Sequence, residues 1–421
     1  MAGELKEAVL LNRARALATM EALGLDALVA ATPRNVYYAS GYWTRISEWG
    51  MAENDACVVV PRDAAKSPTL VIPEFSIANL LDQPSWIPQV RTTEFLNTSH
   101  VAREPEPVRL DPLQRDVERM YAGRVAGDLA ANIVEGTAAA LAELGLAQGR
   151  VAFDDLRLAA HVQRILPKLA VVDGLDAWLD IRKVKTPAEI EFLQAGARIN
   201  ESGLRRIVPL IRPGVLWKDV AAEFRNHVQS AGANLISAQK ALQFGAEYGG
   251  EYFPDLMFAS NDWHVRAGQT IIFEAWGTCS NYAFDLSRTI HVGEPSPAYR
   301  AICATISEAQ QRAARLLRPG MTTHEAWAAI SRIAYAMDVP TPRKTLVFFH
   351  SIGLDIIELP SGYPAFGRLA EFVLEEDTVF NFEFLYFGHS VAPYHLESSY
   401  RMTASGAQCL HTLPHELIVA A

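Results

Sequence analysis

Apolar residues recur at helical spacing over Leu10 to Leu23, about Ala122 to Leu144, Trp217 to Gln229 and Thr323 to Met337, and each stretch predicts a helix with one buried face. Short apolar runs at Ala27 to Ala31, Ala56 to Val60, Thr69 to Ile72 and Val151 to Phe153 predict buried strands. Val36 to Tyr38 precedes a loop that starts at Gly41, and the turn-rich Pro61 to Pro68 separates two neighbouring strands. Helix and strand thus alternate through the front of the chain, the pattern of an α/β domain. Glu104 to Pro112 reads as an exposed connector.

Thr186-Pro187-Ala188-Glu189 opens a further helix, running to about Arg206. Thr186 can cap, Pro187 suits the first helical position, and Glu189 can reach back as the acid of a capping box. A boundary therefore falls between Gly174 and Thr186, dividing the chain into residues 1–175 and 176–421. The second part is strand-rich, so the whole chain is expected to be α+β.

Within that second part the sequence repeats itself. Leu210-Ile211-Arg212-Pro213-Gly214 returns 106 positions later as Leu316-Leu317-Arg318-Pro319-Gly320. Each copy opens one of the helices above, and each helix precedes strands that end in two acids: Glu274 and Asp285, then Glu383 and Glu397. The period exceeds solenoid lengths, so it predicts two halves of one domain that bring two carboxylates each to a pseudo-two-fold axis.

Composition restricts the partners. The chain has 421 residues, half of them hydrophobic, and a formal net charge of −10. Without a basic run it lacks the Lys and Arg clusters that nucleic acids or anionic membranes require. No apolar run approaches a membrane span. Met1 to Glu7 lacks the charge and apolar pattern of a secretory signal, which predicts a cytoplasmic protein. The four cysteines, Cys57, Cys279, Cys303 and Cys409, form no Cys-x-x-Cys pair, which argues against a thiolate zinc site.

The acids carry the chemistry. Thr270 to Asp285 reads as strand, turn, strand, and a turn centred on Cys279-Ser280 would set Glu274 directly opposite Asp285. Paired positions have Cβ atoms about 4.5–5.5 Å apart, so both carboxylates could reach one ion. Glu383 lies inside the apolar Val379 to Phe384, where an isolated buried carboxylate is costly. His350 precedes a glycine-containing turn and Glu397 follows in Tyr394 to Tyr400. One imidazole and four carboxylates make an oxygen-rich site, which favours manganese or iron, with zinc or cobalt possible. Carboxylates able to bridge suggest two divalent ions sharing a water or hydroxide.

From about Thr186 to Thr403 the chain resembles the "pita-bread" family of methionine aminopeptidase, aminopeptidase P, prolidase and creatinase. Asn35-Val36-Tyr37-Tyr38-Ala39-Ser40-Gly41-Tyr42 is similar to the N-terminal signature of the creatinase and prolidase branch. The resemblance implies a C-terminal pita-bread domain behind a smaller creatinase-like one, a homodimer, and Glu274, Asp285, His350, Glu383 and Glu397 as metal ligands, with Glu383 also the proton shuttle. Three departures stand out: the first ligand is Glu instead of Asp, Ile357 occupies the position of a peptidase histidine, and Gly249 to Pro254 lacks an upstream histidine. His264 could replace that histidine if the loop is shortened.

The activity expected from these departures is hydrolysis of an amide-like C–N bond in a small polar metabolite by a metal-bound hydroxide. The alternatives are an Xaa-Pro dipeptidase or aminopeptidase assisted by His264, a metal-dependent lyase of an osmolyte-like substrate with Asp355 or Tyr252 as base, and a binding protein that has lost catalysis. Trp43, Arg45 and Trp49 in one aromatic loop, together with Trp276, Tyr282 and His395, are the candidate substrate-binding residues.

Overall fold

The structure, a computed structural model, describes residues 9–44, 55–94, 112–235, 244–246, 263–361, 372–387 and 392–421. Two compact units, Met1–Arg182 and Lys183–Ala421, divide it.

In the first unit strands β1 (Ala27–Ala30), β2 (Cys57–Pro61), β3 (Thr69–Pro73), β4 (Gln89–Thr93), β5 (Arg150–Phe153) and β6 (Ala170–Asp173) form one sheet in the order β4-β3-β2-β1-β5-β6. Every residue of β1, β2 and β3 is buried, which is why these strands read as unbroken apolar runs instead of alternating ones. Helices α1 (Arg13–Ala22), α2 (Pro33–Ser40), α3 (Asn79–Asp82), α4 (Pro112–Arg124), α5 (Ile133–Glu143), α6 (Leu156–Ile165) and α7 (Leu175–Lys183) complete it. Val36 to Tyr38 lies inside α2, which ends at Gly41 in the left-handed conformation (φ 78°).

The single helix expected over Ala122 to Leu144 is two helices. Between α4 and α5 the backbone bonds to the sheet edge instead of to itself: Ala126 N donates to Val90 O, and Ala130 N to Thr92 O. Asn132 then restarts the helix, its side chain accepting from Glu135 N at 3.0 Å. The connector at 104–112 lies outside the described residues except for Pro112, which opens α4.

In the second unit α8 (Pro187–Ile207) starts at the capping box read from the sequence, with both reciprocal bonds formed. It is followed by α9 (Trp217–Ser230), β7 (Ala233–Leu235), β8 (Phe244–Ala246), β9 (Thr270–Cys279), β10 (Tyr282–Val292), α10 (Pro297–Ala314), α11 (Thr323–Tyr335), β11 (Thr345–Ser351), β12 (Glu358–Ser361), β13 (Val379–Tyr386), β14 (Tyr394–Thr403), β15 (Gly406–Cys409) and β16 (Ile418–Ala420). The ten strands form one sheet along the path β12-β11-β13-β14-β10-β9-β7, with β15 on β14, β16 on β10 and β8 on β9.

The repeat is physical. Gly214 and Gly320 have φ of 88° and 91°, and each donates its N–H to a matching carbonyl, Val265 O and Leu374 O, at 2.8 Å. The bridge Leu216 to His264 recurs as Thr322 to Val373. Alternation along the strands then divides the sheet's faces. Phe273, Ala275, Phe284 and Leu286 pack with Leu204 and Phe224 of α8 and α9, while Phe380, Phe382, Phe384 and Leu396 pack with Ile306, Ile330 and Ala334 of α10 and α11. The alternate positions, on the other face, include the buried polar residues Asp285, Ser287, Asn381, Glu383, His395 and Glu397. Among the described residues no helix is long and apolar enough to cross a membrane.

Candidate metal centre

Glu383 on β13 and Glu397 on β14 are directly paired, and Glu397 also pairs with Ser287 on β10. The first pair of acids sits differently. The β9–β10 hairpin turns at Ser280 and Asn281, both in the left-handed region (φ 50° and 65°), one residue later than the sequence suggested. Glu274 therefore pairs with Ser287 and Asp285 with Trp276, so the two acids share a face but stand on a diagonal instead of opposite one another.

These side chains converge. Asp285, His350 and Glu397 form one buried group, and Glu383, His395 and Glu397 a second, the atoms of each lying within 4.8 Å of one another. His350 Nδ1 faces Ser351 O at 3.2 Å and its Nε2 faces Glu397 Oε1 at 3.7 Å. Asn381 donates to that same Oε1 at 2.8 Å. His395 Nε2 contacts Glu383 Oε2, while its Nδ1 lies 2.9 Å from Ser287 Oγ and 3.4 Å from Glu274 Oε2.

The electrostatics follow from burying so many acids together. Burial, then the charges of Glu397, Glu274 and Glu383, push Asp285 well above the carboxylate range. Burial raises Glu383 to about 7, with Glu397 adding to it, and raises Glu274 against the pull of His395. Burial also works on Glu397, but His350, His395 and Asn381 outweigh it and hold that carboxyl low. For His395 burial is outweighed by Glu274 and Glu383, and its pKa rises to about 10. A set of mutually repelling carboxylates is relieved by a divalent cation. The buried Asp285 Oδ1 and Glu397 Oε2 have no hydrogen-bond partner among the described residues, which fits lone pairs reserved for an ion.

The remaining predicted residues are distributed as follows. Tyr282 lies on the opposite face of β10 from Asp285, because the two positions differ by an odd number; its hydroxyl donates to Glu189 Oε1 at 3.0 Å and its ring packs on Phe192. It is a core residue, contrary to the substrate-binding expectation. His264 is exposed at the repeat's bridge, the counterpart of Val373, and belongs to neither ligand group. Trp276 is half-buried on the ligand face beside Asp285. Asp355 is half-buried in the turn after His350, its N–H donating to Glu358 Oε1 at 3.2 Å. Trp43 packs edge-on against Tyr37, and its backbone N–H donates to Gln83 Oε1. Arg45, Trp49 and Tyr252 lie outside the described residues. From sequence His395 is a candidate substrate contact; its spacing of two from Glu397 places both on one strand face, among the acids.

Fold and site together define a two-unit architecture whose second unit buries a carboxylate and histidine cluster able to hold a metal. Residues 191–408 match the model of metallopeptidase family M24 and residues 12–184 that of the creatinase/prolidase N-terminal domain, and the chain belongs to family M24. It is 25% identical over 247 residues to an Xaa-Pro dipeptidase of Pyrococcus furiosus, a match covering 58% of this chain and 67% of that protein. It is 28% identical over 288 residues to a probable dipeptidase of Mycobacterium tuberculosis, covering 66% and 72%. A dipeptidase structure from Pyrococcus horikoshii shares the fold with a TM-score of 0.70 at 15% identity, covering 96% of this chain and 99% of that one. The prolidase structure from Pyrococcus furiosus does so with a TM-score of 0.64 at 19% identity, covering 94% and 99%.

Proposed function

We propose that this chain is a metal-dependent hydrolase of the amide-type C–N bond in small polar substrates, Xaa-Pro dipeptides foremost. The observation that carries the reading is the convergence of Asp285, His350, Glu383 and Glu397 on one buried face, with lone pairs left unpartnered on Asp285 and Glu397. Those residues would hold the cations, and the relatives named as Xaa-Pro dipeptidases support the substrate class. The carboxylate-rich donor set suits manganese or iron better than a structural zinc. A bound divalent ion supplies Lewis acidity and lowers the pKa of water.

The chain's own groups then move the proton. Glu383 takes a proton from the attacking water and passes it to the substrate nitrogen, so that the C–O bond forms as the C–N bond breaks and acid and amine leave as separate products. Trp276 borders the acids and would limit substrate width.

The test is release of free proline from a panel of Xaa-Pro dipeptides by the manganese-loaded protein, with Glu383→Gln lowering kcat by about 10²–10⁴-fold. Absence of hydrolysis across dipeptides and small amides alike would overturn the proposal. A second reading, hydrolysis of a non-peptide amide, is favoured by two observations: Ile357 is 48% exposed where the resemblance expects a histidine, and exposed His264 belongs to neither ligand group. Turnover of small amides without proline release would select it.

A further inference from the structure

His395 has the construction of a metal ligand. The Ser287 hydroxyl has one proton and lies 3.1 Å from Phe273 O; donated there, it leaves the Ser287 oxygen to accept from His395 Nδ1, 2.9 Å away. That arrangement, with Glu274 Oε2 also beside Nδ1 at 3.4 Å, puts the hydrogen on Nδ1 and turns the Nε2 side of the ring to Glu383. His350 is built the same way, with Nδ1 on the carbonyl of Ser351 and Nε2 toward Glu397. Ring hydrogens tied back to protein oxygens are the usual support of ligating histidines.

Glu274 stands on the other side of the same ring. Its Oε2 lies 3.4 Å from Nδ1, alongside Ser287 and across the imidazole from Glu383. An oxygen behind Nδ1 cannot at the same time bind an ion held at Nε2. Neither buried ligand group includes Glu274. The extra methylene of Glu over Asp at this position lets the carboxylate reach the ring.

We propose that His395 is the second nitrogen ligand of the centre, so that one ion is held by Asp285, His350 and Glu397 and the other by Glu383, His395 and Glu397, with Glu274 a positioning residue for His395 instead of a ligand. This rests on the metal-dependent reading above and replaces one member of the ligand set carried over by resemblance. It gives each ion one imidazole, with Glu397 shared.

The full-length protein loaded with cobalt(II) tests it by proton NMR, because each coordinated imidazole contributes one exchangeable, strongly shifted N–H resonance. Two such resonances are expected, from His350 and His395, and a single one overturns the assignment. Calorimetric titration with manganese(II) adds a second measurement: His395→Ala should retain one ion per chain, while Glu274→Gln, still able to accept from Nδ1, should retain two with the second site weakened about 10–100-fold. Two ions retained by His395→Ala, or one lost by Glu274→Gln, would return Glu274 to the ligand set. Failure of the wild-type protein to bind any ion would sink the metal-dependent reading itself, an outcome distinct from either variant result.

Discussion

Glu383 and Glu397 face each other across β13 and β14, and Glu397 alone belongs to both ligand groups. Glu397→Gln is expected to abolish tight binding of both ions, whereas Asp285→Asn should weaken one. Metal content after dialysis distinguishes them; equal losses in the two variants would mean that Glu397 is not shared.

Lys185 and Glu358 form an ion pair at 2.7 Å with side chains 1% and 2% exposed, and Glu189 lies close enough to feel both charges. Removing the ammonium strands two buried carboxyls, so Lys185→Met should destabilise the protein by about 3–5 kcal/mol. The double variant Lys185→Met, Glu358→Leu should recover much of that. Urea unfolding of the three proteins measures it, and a single-variant loss below about 1 kcal/mol would contradict it.

Stability should carry a pH signature from Glu189. Burial raises this carboxyl from 4.5 to about 7, against the pull of Lys185 and Thr186 N. Between those values the folded chain binds a proton that the unfolded chain releases, so this contribution to stability falls as pH rises from about 4.5 to about 7. Glu189→Gln should therefore gain about 1–3 kcal/mol on wild type between pH 4.5 and 8. Buried His411 and half-buried His415, held down to about 3 and 4 by desolvation and Arg288, lose their stabilising contribution as pH falls, but they are common to both proteins and cancel in the difference. A pH-independent difference in unfolding free energy would refute the assignment.

Gly277 lies where β7 and β9 meet. A Cβ there would stand 2.3 Å from Asn234 O and 2.4 Å from Phe284 Cζ, and a backbone carbonyl cannot swing away as a side-chain tip can. Gly277→Ala should cost about 1–3 kcal/mol and reduce metal affinity through the displaced hairpin. Thermal unfolding with and without manganese(II) reads both effects.

Much of this was written in the sequence because local signals agreed with the fold. The Thr186 to Glu189 capping box, the strand runs and the repeat each have a short-range physical cause. The helix break near Gly127 did not show, since its bonds go to the distant β4. The hairpin turn was misplaced by one residue because Ser280 and Asn281 adopt left-handed conformations without glycine, and that shift decides whether Glu274 meets Asp285 or His395. Tyr282 and His395 could have been separated from sequence alone: counted in twos from Asp285 and Glu397, one falls on the core face and the other on the acid face.

The two halves repeat their helices and bridges, yet one hairpin aligns its acids squarely and the other obliquely. A duplication that kept its symmetry would offer the same berth twice. This one offers unequal berths that share a wall, so cations added stepwise should settle in sequence.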